Sequence, residues 1–178
     1  TLRILEARGR FMQEACEERE GGMVSVLGLT VDKVKPLAAA AGVEVANVNS
    51  AEQIVLSGER ARIVEAEKLA KEAGASRTVV LNVAGAFHSS LMASAAKKLE
   101  AFLAGITLAT PAMPVVANVM GAPHGGPDEI RRAMVKQVTS SVQWVSSVEW
   151  FKAHGVSEYV ECGPGKVLSG LIKRIDKD

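Results

Sequence analysis

The sequence predicts an α/β protein in two lobes, for three reasons. Hydrophobic residues make up 48% and charged residues 23% of the 178 positions, the balance of a chain able to bury a core. Segments of strand period are interleaved with segments of helical period. Between about residues 20 and 83 these segments follow the order β-α-β-β-α-β, which can close on itself and be inserted into a host domain. With aromatics at only 4%, the cores must be built from Val, Leu, Ile, Ala and Met.

Residues 2–18 read as an amphipathic helix with Leu2, Leu5, Phe11, Met12 and Ala15 at helical spacing, stopped by Glu20-Gly21-Gly22. A strand follows over 23–29. Thr30 and Asp32 then start a helix that runs to Ala41 and ends at Gly42. Residues 43–49 alternate as a half-buried strand, 49–52 turn, and 53–58 return antiparallel. Residues 59–73 form a helix with Ile63, Ala66, Leu69, Ala70 and Ala73 on one face and Gly74 as its stop; 76–83 form a strand. This is the split βαβ order of a ferredoxin-like lobe. Beyond it, 89–103 reads as a helix with Leu91, Ala95, Leu99 and Phe102 inward, 114–119 as a short buried strand, and 123–127 as a Gly/Pro-rich loop. Pro127, Asp128 and Glu129 open a further helix, with Pro early and acids in the first turn. Residues 145–154 form a helix closed by Gly155, 156–161 a strand, and 165–175 a last helix.

A formal net charge of +1 argues against non-specific nucleic-acid binding, which needs a basic face. Cys16 and Cys162 have no metal-ligand spacing and read as free thiols of a reducing compartment. No apolar run reaches the roughly 20 residues that span a bilayer. A chain that opens inside a helical pattern without Met is expected to lack the beginning of its natural protein.

Two residues draw attention for their chemistry. His88, in Val83-Ala84-Gly85-Ala86-Phe87-His88-Ser89-Ser90-Leu91-Met92, stands where a strand gives way to a helix, and its imidazole could exchange protons in a cleft. A histidine filling a helix start while donating to a backbone carbonyl would look the same. Ser89 cannot be its nucleophile, since adjacent side chains point apart. Arg8, in Ala7-Arg8-Gly9-Arg10-Phe11-Met12-Gln13, reads either as a solvated charge or as a carboxylate clamp, because a planar guanidinium grips a carboxylate with two parallel hydrogen bonds. No Gly-x-Ser-x-Gly elbow occurs in the chain. Gly163-Pro164-Gly165-Lys166 lacks the spacer and the hydroxyl of a phosphate loop and reads as a tight turn. His124 and His154 read as surface residues, and Glu158 with Glu161 as a solvated strand edge.

Together with Glu161-Cys162-Gly163-Pro164-Gly165-Lys166, these segments make the chain resemble the later part of the malonyl-CoA:acyl carrier protein transacylases, over essentially its whole length. The resemblance implies an α/β-hydrolase-like lobe made of residues 1–19 and 84–178, with the ferredoxin-like insert at 20–83. It implies transfer of malonyl from coenzyme A to the phosphopantetheine thiol of acyl carrier protein through a seryl intermediate. The serine and its oxyanion loop lie in a part of the family absent here, so the chain alone should turn over nothing. His88 takes the place of the family's general base, Gln137 that of the residue whose main-chain carbonyl holds it, and Arg8 that of the malonyl-carboxylate ligand. Asn118 resembles a second polar residue near the histidine and Asn49 a pocket-lining one, although capping of a turn or strand end explains either asparagine as well. In the family the Gly-Pro-Gly segment shapes the wall of the site.

No metal or redox cofactor is implied; the partners are malonyl-CoA and acyl carrier protein, with no nucleic acid and no membrane. The setting is the bacterial cytoplasm, or a plastid or mitochondrial matrix. Ala86-Phe87-His88-Ser89 also resembles the fingerprint of malonyl-selective polyketide synthase acyltransferases. A non-catalytic fragment that only docks acyl carrier protein is a third reading, with Lys166, Lys173, Arg174 and Lys177 as a basic patch or simply a solvated helix face.

Overall fold

The computed structural model describes residues 1–176. A mixed sheet in the order β4-β1-β3-β2-β7 is formed by β1 (Gly21–Leu27), β2 (Glu44–Ser50), β3 (Gln53–Glu59), β4 (Arg77–Val80) and β7 (Val142–Gln143). β1 runs antiparallel to β3 and β4, and β2 antiparallel to β3. β7 joins the outer edge of β2 in parallel, Asn47 opposite Val142 and Val48 opposite Gln143. The sheet is therefore not closed within residues 20–83; a strand from much later in the chain covers the groups that β2 would leave unpaired at its edge.

Period-2 alternation in β1 and β3 gives the sheet two faces with different tasks. Val24, Val26, Ile54 and Leu56 are fully buried and share a core with Val34 and Ala38 of α2 (Val31–Ala41) and Ile63, Ala66 and Ala70 of α3 (Arg60–Glu72). Each large side chain sealed in this way contributes about 1.5–3 kcal/mol. Gly42 ends α2 as its chemistry dictates, at φ +69 with its N–H donating to Ala39 O at 3.1 Å. On the opposite face, Met23, Ala46 and Val55 pack against Leu81, Val83 and Phe87, so the segment leading to His88 crosses this face. β4 ends at Val80, earlier than its apolar run: Leu81 N still donates to Met23 O, but Val83 N turns back onto Leu81 O at 3.1 Å.

A second core lies among α1 (Leu2–Glu18), α4 (Ala93–Ala104) and α5 (Pro127–Val138), built from Met12, Ala15, Met92, Ala95, Leu99, Leu103 and Val138. Lys98 on α4 pairs with Glu14 at 2.8 Å and Glu18 at 3.6 Å on α1, and Phe11 meets Phe102 edge to face. The Arg131 guanidinium of α5 donates to Leu103 O and, at 3.1 and 3.2 Å, to Ile106 O, which fastens α5 to the end of α4.

Several elements depart from the sequence expectation. The helix expected from 89 begins at 93, after a 3-10 turn over Ser90–Met92. Leu2 and Leu5 are 81% and 58% exposed; the first-turn side chain that packs against the second core is Ile4, between them. The strand expected over 114–119 shrinks to a two-residue pairing of β5 (Val116–Ala117) with β6 (Ala122–Pro123). Residues 156–161, expected as a strand between α6 (Trp144–Ala153) and α7 (Val167–Ile175), form no ladder among the described residues, and Val160 is 78% exposed. A strand is a relation between two chains of atoms, and alternation alone does not create the partner. Glu161 caps α7 instead, accepting from Leu168 N, Ser169 N and Ser169 Oγ at 3.1, 2.9 and 2.6 Å; these bonds hold its carboxyl below the usual range.

Candidate active site

His88 stands at the end of the segment that crosses the sheet. It adopts φ +59, the left-handed region, which side chains bearing a Cβ rarely enter. Phe87 is anchored in the sheet-face core, while Gly85 comes so close to Cys16 on α1 that a Cβ there would collide with its sulfur. The close approach sets the His88 turn against α1, the helix that carries Arg8.

The ring is held from the far side by α5. His88 Nδ1 lies 2.9 Å from Gln137 O, and a carbonyl can only accept, so Nδ1 carries the proton and Nε2 is left bare. The Gln137 side chain donates its Nε2–H to Ser140 O at 3.0 Å and lies 3.3 Å from Nδ1. Burial, and after it the positive charge of Arg8, push the imidazole below its ordinary value of 6.5, against the opposing pull of the bonds to Gln137 and Ser140. The ring is thus neutral at neutral pH, as a proton acceptor must be.

Arg8 is half-buried, with burial lowering its pKa, and no carboxylate pairs with it among the described residues. The spacing 8, 12, 15 puts it on the same helical stripe as the buried Met12 and Ala15. Arg8, Met12, Gln13, Asn47, Phe87 and His88 line one cavity of about 420 Å³. Arg10 points elsewhere, 3.9 Å from Glu14 and over the Phe11 ring. A bare imidazole nitrogen and an uncompensated guanidinium on one cavity can take a proton from a nucleophile and hold an anion.

The asparagines fall differently from expectation. Asn47 lines this cavity and Asn49 does not. β2 carries register shifts between Val45 and Asn47 and between Val48 and Ser50, and a period-2 reading fails across a bulge. Asn118 is exposed and borders a second cavity, of about 200 Å³, with His124 and Gln137; its main-chain oxygen accepts from Gln143 N at 2.7 Å. His124 is half-buried, with its Nδ1 enclosed and, like Gln137 Oε1, without a hydrogen-bond partner among the described residues. His154 stacks on Trp150 at 3.9 Å at the protein surface. Gly165 and Lys166 border a separate cleft with Tyr159 and Glu161, away from the wall of the Arg8–His88 cavity. Lys173 lines that cleft too, and Arg174 donates to Gln53 Oε1 at 2.5 Å, so the basic residues there are partly engaged in holding α7 to the sheet; Lys177 lies outside the described residues.

Residues 1–170 match the family model described as the acyl transferase domain. The chain is 43% identical over 178 residues to the malonyl CoA-acyl carrier protein transacylase of Escherichia coli strain K12, a match covering 98% of this chain and 58% of that protein. The crystal structure of a malonyl-CoA:acyl carrier protein transacylase from Xanthomonas oryzae is similar with a TM-score of 0.93 at 42% identity, over 98% of this chain and 57% of that one. A malonyl transacylase in complex with a type II polyketide synthase acyl carrier protein is similar with a TM-score of 0.94 at 37% identity, over 98% and 58%. The chain therefore spans a little under three fifths of the length of these relatives. Among the described residues, no helix is long and apolar enough to cross a membrane.

Proposed function

The chain belongs to the acyl transferase domain family, and on that premise we propose that it is the His88- and Arg8-bearing part of a malonyl-CoA:acyl carrier protein transacylase. The observation that carries the proposal is the half-buried Arg8 guanidinium, without a carboxylate partner among the described residues, on the cavity that His88 also lines. In the proposed reaction a serine from the family portion outside this chain attacks the thioester carbonyl of malonyl-CoA. As its oxygen–carbon bond forms, the hydroxyl proton passes to His88 Nε2; as the carbon–sulfur bond breaks, that proton goes to the departing thiolate. The phosphopantetheine thiol of acyl carrier protein then attacks the acyl-serine by the same route in reverse. Gln137 O holds the Nδ1 proton throughout, and Arg8 pairs with the free carboxylate of malonyl. An acetyl group would leave the guanidinium unpaired, which gives the selectivity. The chemistry needs no metal or redox group.

The lobes belong to the same proposal: a ferredoxin-like insert at 20–83 within an α/β-hydrolase-like lobe of 1–19 and 84–178, supported by the order β4-β1-β3-β2 and by the two separate cores. So does a bacterial cytoplasmic setting. A second reading, a transacylase serving a polyketide synthase, is favoured by the neighbour solved with such a synthase's carrier protein; which carrier protein accepts malonyl separates the two.

The test is Arg8→Ala in the chain completed with the preceding portion of a relative. Malonyl transfer should fall about 10–100-fold, the weight of a lost charge-assisted hydrogen bond, while acetyl transfer holds or rises. Equal losses for both acyl groups would remove Arg8 from the carboxylate role.

A further inference from the structure

The turn that carries His88 is pinned by hydrogen bonds that involve neither the imidazole nor the cavity. His88 is the one non-glycine residue at positive φ among the described residues. A strained conformation of this kind persists only where the surroundings over-determine it. One set of constraints is internal. Ser89 is completely buried, and its Oγ–H donates to Ala86 O at 2.7 Å across the turn. The same oxygen accepts from Leu91 N at 3.4 Å, and Ser89 O accepts from Met92 N at 3.0 Å. The other constraint comes from the sheet. Glu44, the first residue of β2, accepts with its Oε1 from Ser90 N at 2.8 Å and from Ser90 Oγ at 2.7 Å. It reaches over from 46 positions away to grip the residue two beyond the histidine.

If residue 88 relaxed to negative φ, its Cβ would swing and the Nδ1–H bond to Gln137 O would be lost, and with it the choice of which ring nitrogen is bare. We propose that Glu44 and Ser89 are positioning residues for His88, holding its backbone left-handed and thereby fixing the tautomer that leaves Nε2 free to accept a proton. The purpose of this clamp rests on reading His88 as the base, but its operation is visible in this chain without turnover.

The experiment is nitrogen NMR of the imidazoles in the 178-residue chain, which has three histidines, with His88 assigned by the signals lost in His88→Asn. In the unaltered protein His88 should show the Nδ1-protonated tautomer alone. Glu44→Ala should move the tautomer ratio by about tenfold, the effect of roughly 1.4 kcal/mol. Glu44→Gln, whose amide oxygen can still accept both bonds, should restore the original pattern. Ser89→Ala should have the larger effect; should it fail to fold, the exposed Glu44 pair still decides the matter. A single Nδ1-protonated tautomer in Glu44→Ala overturns the proposal, as does failure of Glu44→Gln to rescue. Acyl transfer by a completed enzyme carrying His88→Asn would sink the proposed function instead, and would leave the tautomer result as it stands.

Discussion

The two faces of one sheet differ in kind. Toward α2 and α3, the strands present a largely aliphatic face: twelve buried apolar residues gather there, and the polar Thr78 of β4 is paired, its Oγ1–H donating to Glu67 Oε1 of α3 at 2.9 Å. Toward α1 and the His88 turn, the same strands present Met23, Ala46 and Val55 beside Ser25 and Ser57, whose buried hydroxyls have no hydrogen-bond partner among the described residues. Beyond that face lie a histidine at positive φ and a guanidinium without a counter-charge among the described residues. The first face keeps its polar strand side chain paired, although α2 carries Pro36 in its interior, and lines no part of the Arg8–His88 cavity. The second leaves hydroxyls unpaired, and through Met23 and Asn47 it lines that cavity. Departures from local consistency mark where stability was given up for a site.

The contrast can be tested by substitution on either side of β1 and β3. The largest effect on stability should come from Leu56→Ala in the aliphatic core, a loss of about 2–5 kcal/mol read by denaturant unfolding. The His88 imidazole signals should not move; if they do, the two faces are coupled and the contrast fails. Next come two adjacent glycines. A Cβ on Gly21 would lie 2.5 Å from Ala86 N in the His88 segment, whereas one on Gly22 would meet Ile63 at 3.6 Å, an ordinary contact. Gly21→Ala should therefore cost about 1–3 kcal/mol and displace the His88 signals, with Gly22→Ala close to neutral. Similar losses from both would show that the site-facing side is no more tightly constrained than the core.

The smallest effect is one of pH. His88 binds its proton less readily in the folded chain than in the unfolded one, because burial lowers its pKa from 6.5. Above that pH the difference contributes nothing. As pH falls below 6.5 the unfolded chain takes up the proton first, and stability drops. The thermal midpoint should sag on the acid side in the unaltered protein and sag less in His88→Asn; parallel curves would mean that the imidazole is not desolvated as described.

What the sequence disclosed follows the same division. Gly42 as the stop of α2, Pro127 at the first turn of α5 and the β2–β3 hairpin were legible because each depends on residues within a few positions of itself. Arg8 was legible as a candidate through Ala7-Arg8-Gly9-Arg10-Phe11-Met12-Gln13, the segment that carries the family resemblance; helix pattern alone left a solvated charge open as well. Asn47 was not, since two irregularities in β2 hide which side chain faces the cavity. The absent strand at 156–161 and the added strand β7 fail for one reason: pairing is decided by what lies alongside, which no local pattern records. The clamp from Glu44 to Ser90 was equally invisible, being a contact across 46 positions between two unremarkable polar residues.

The two-residue ladder of β7 on β2 bears on how the molecule can be divided. Residues 20–83 look separable in the linear pattern, yet a polypeptide trimmed to them would leave the outer backbone groups of β2 unpaired where β7 now lies, beside Asn47 and Val48. Such margins recruit copies of themselves. Residues 20–83 have their sheet edge completed only by β7, so that short pairing is also a guard against self-association.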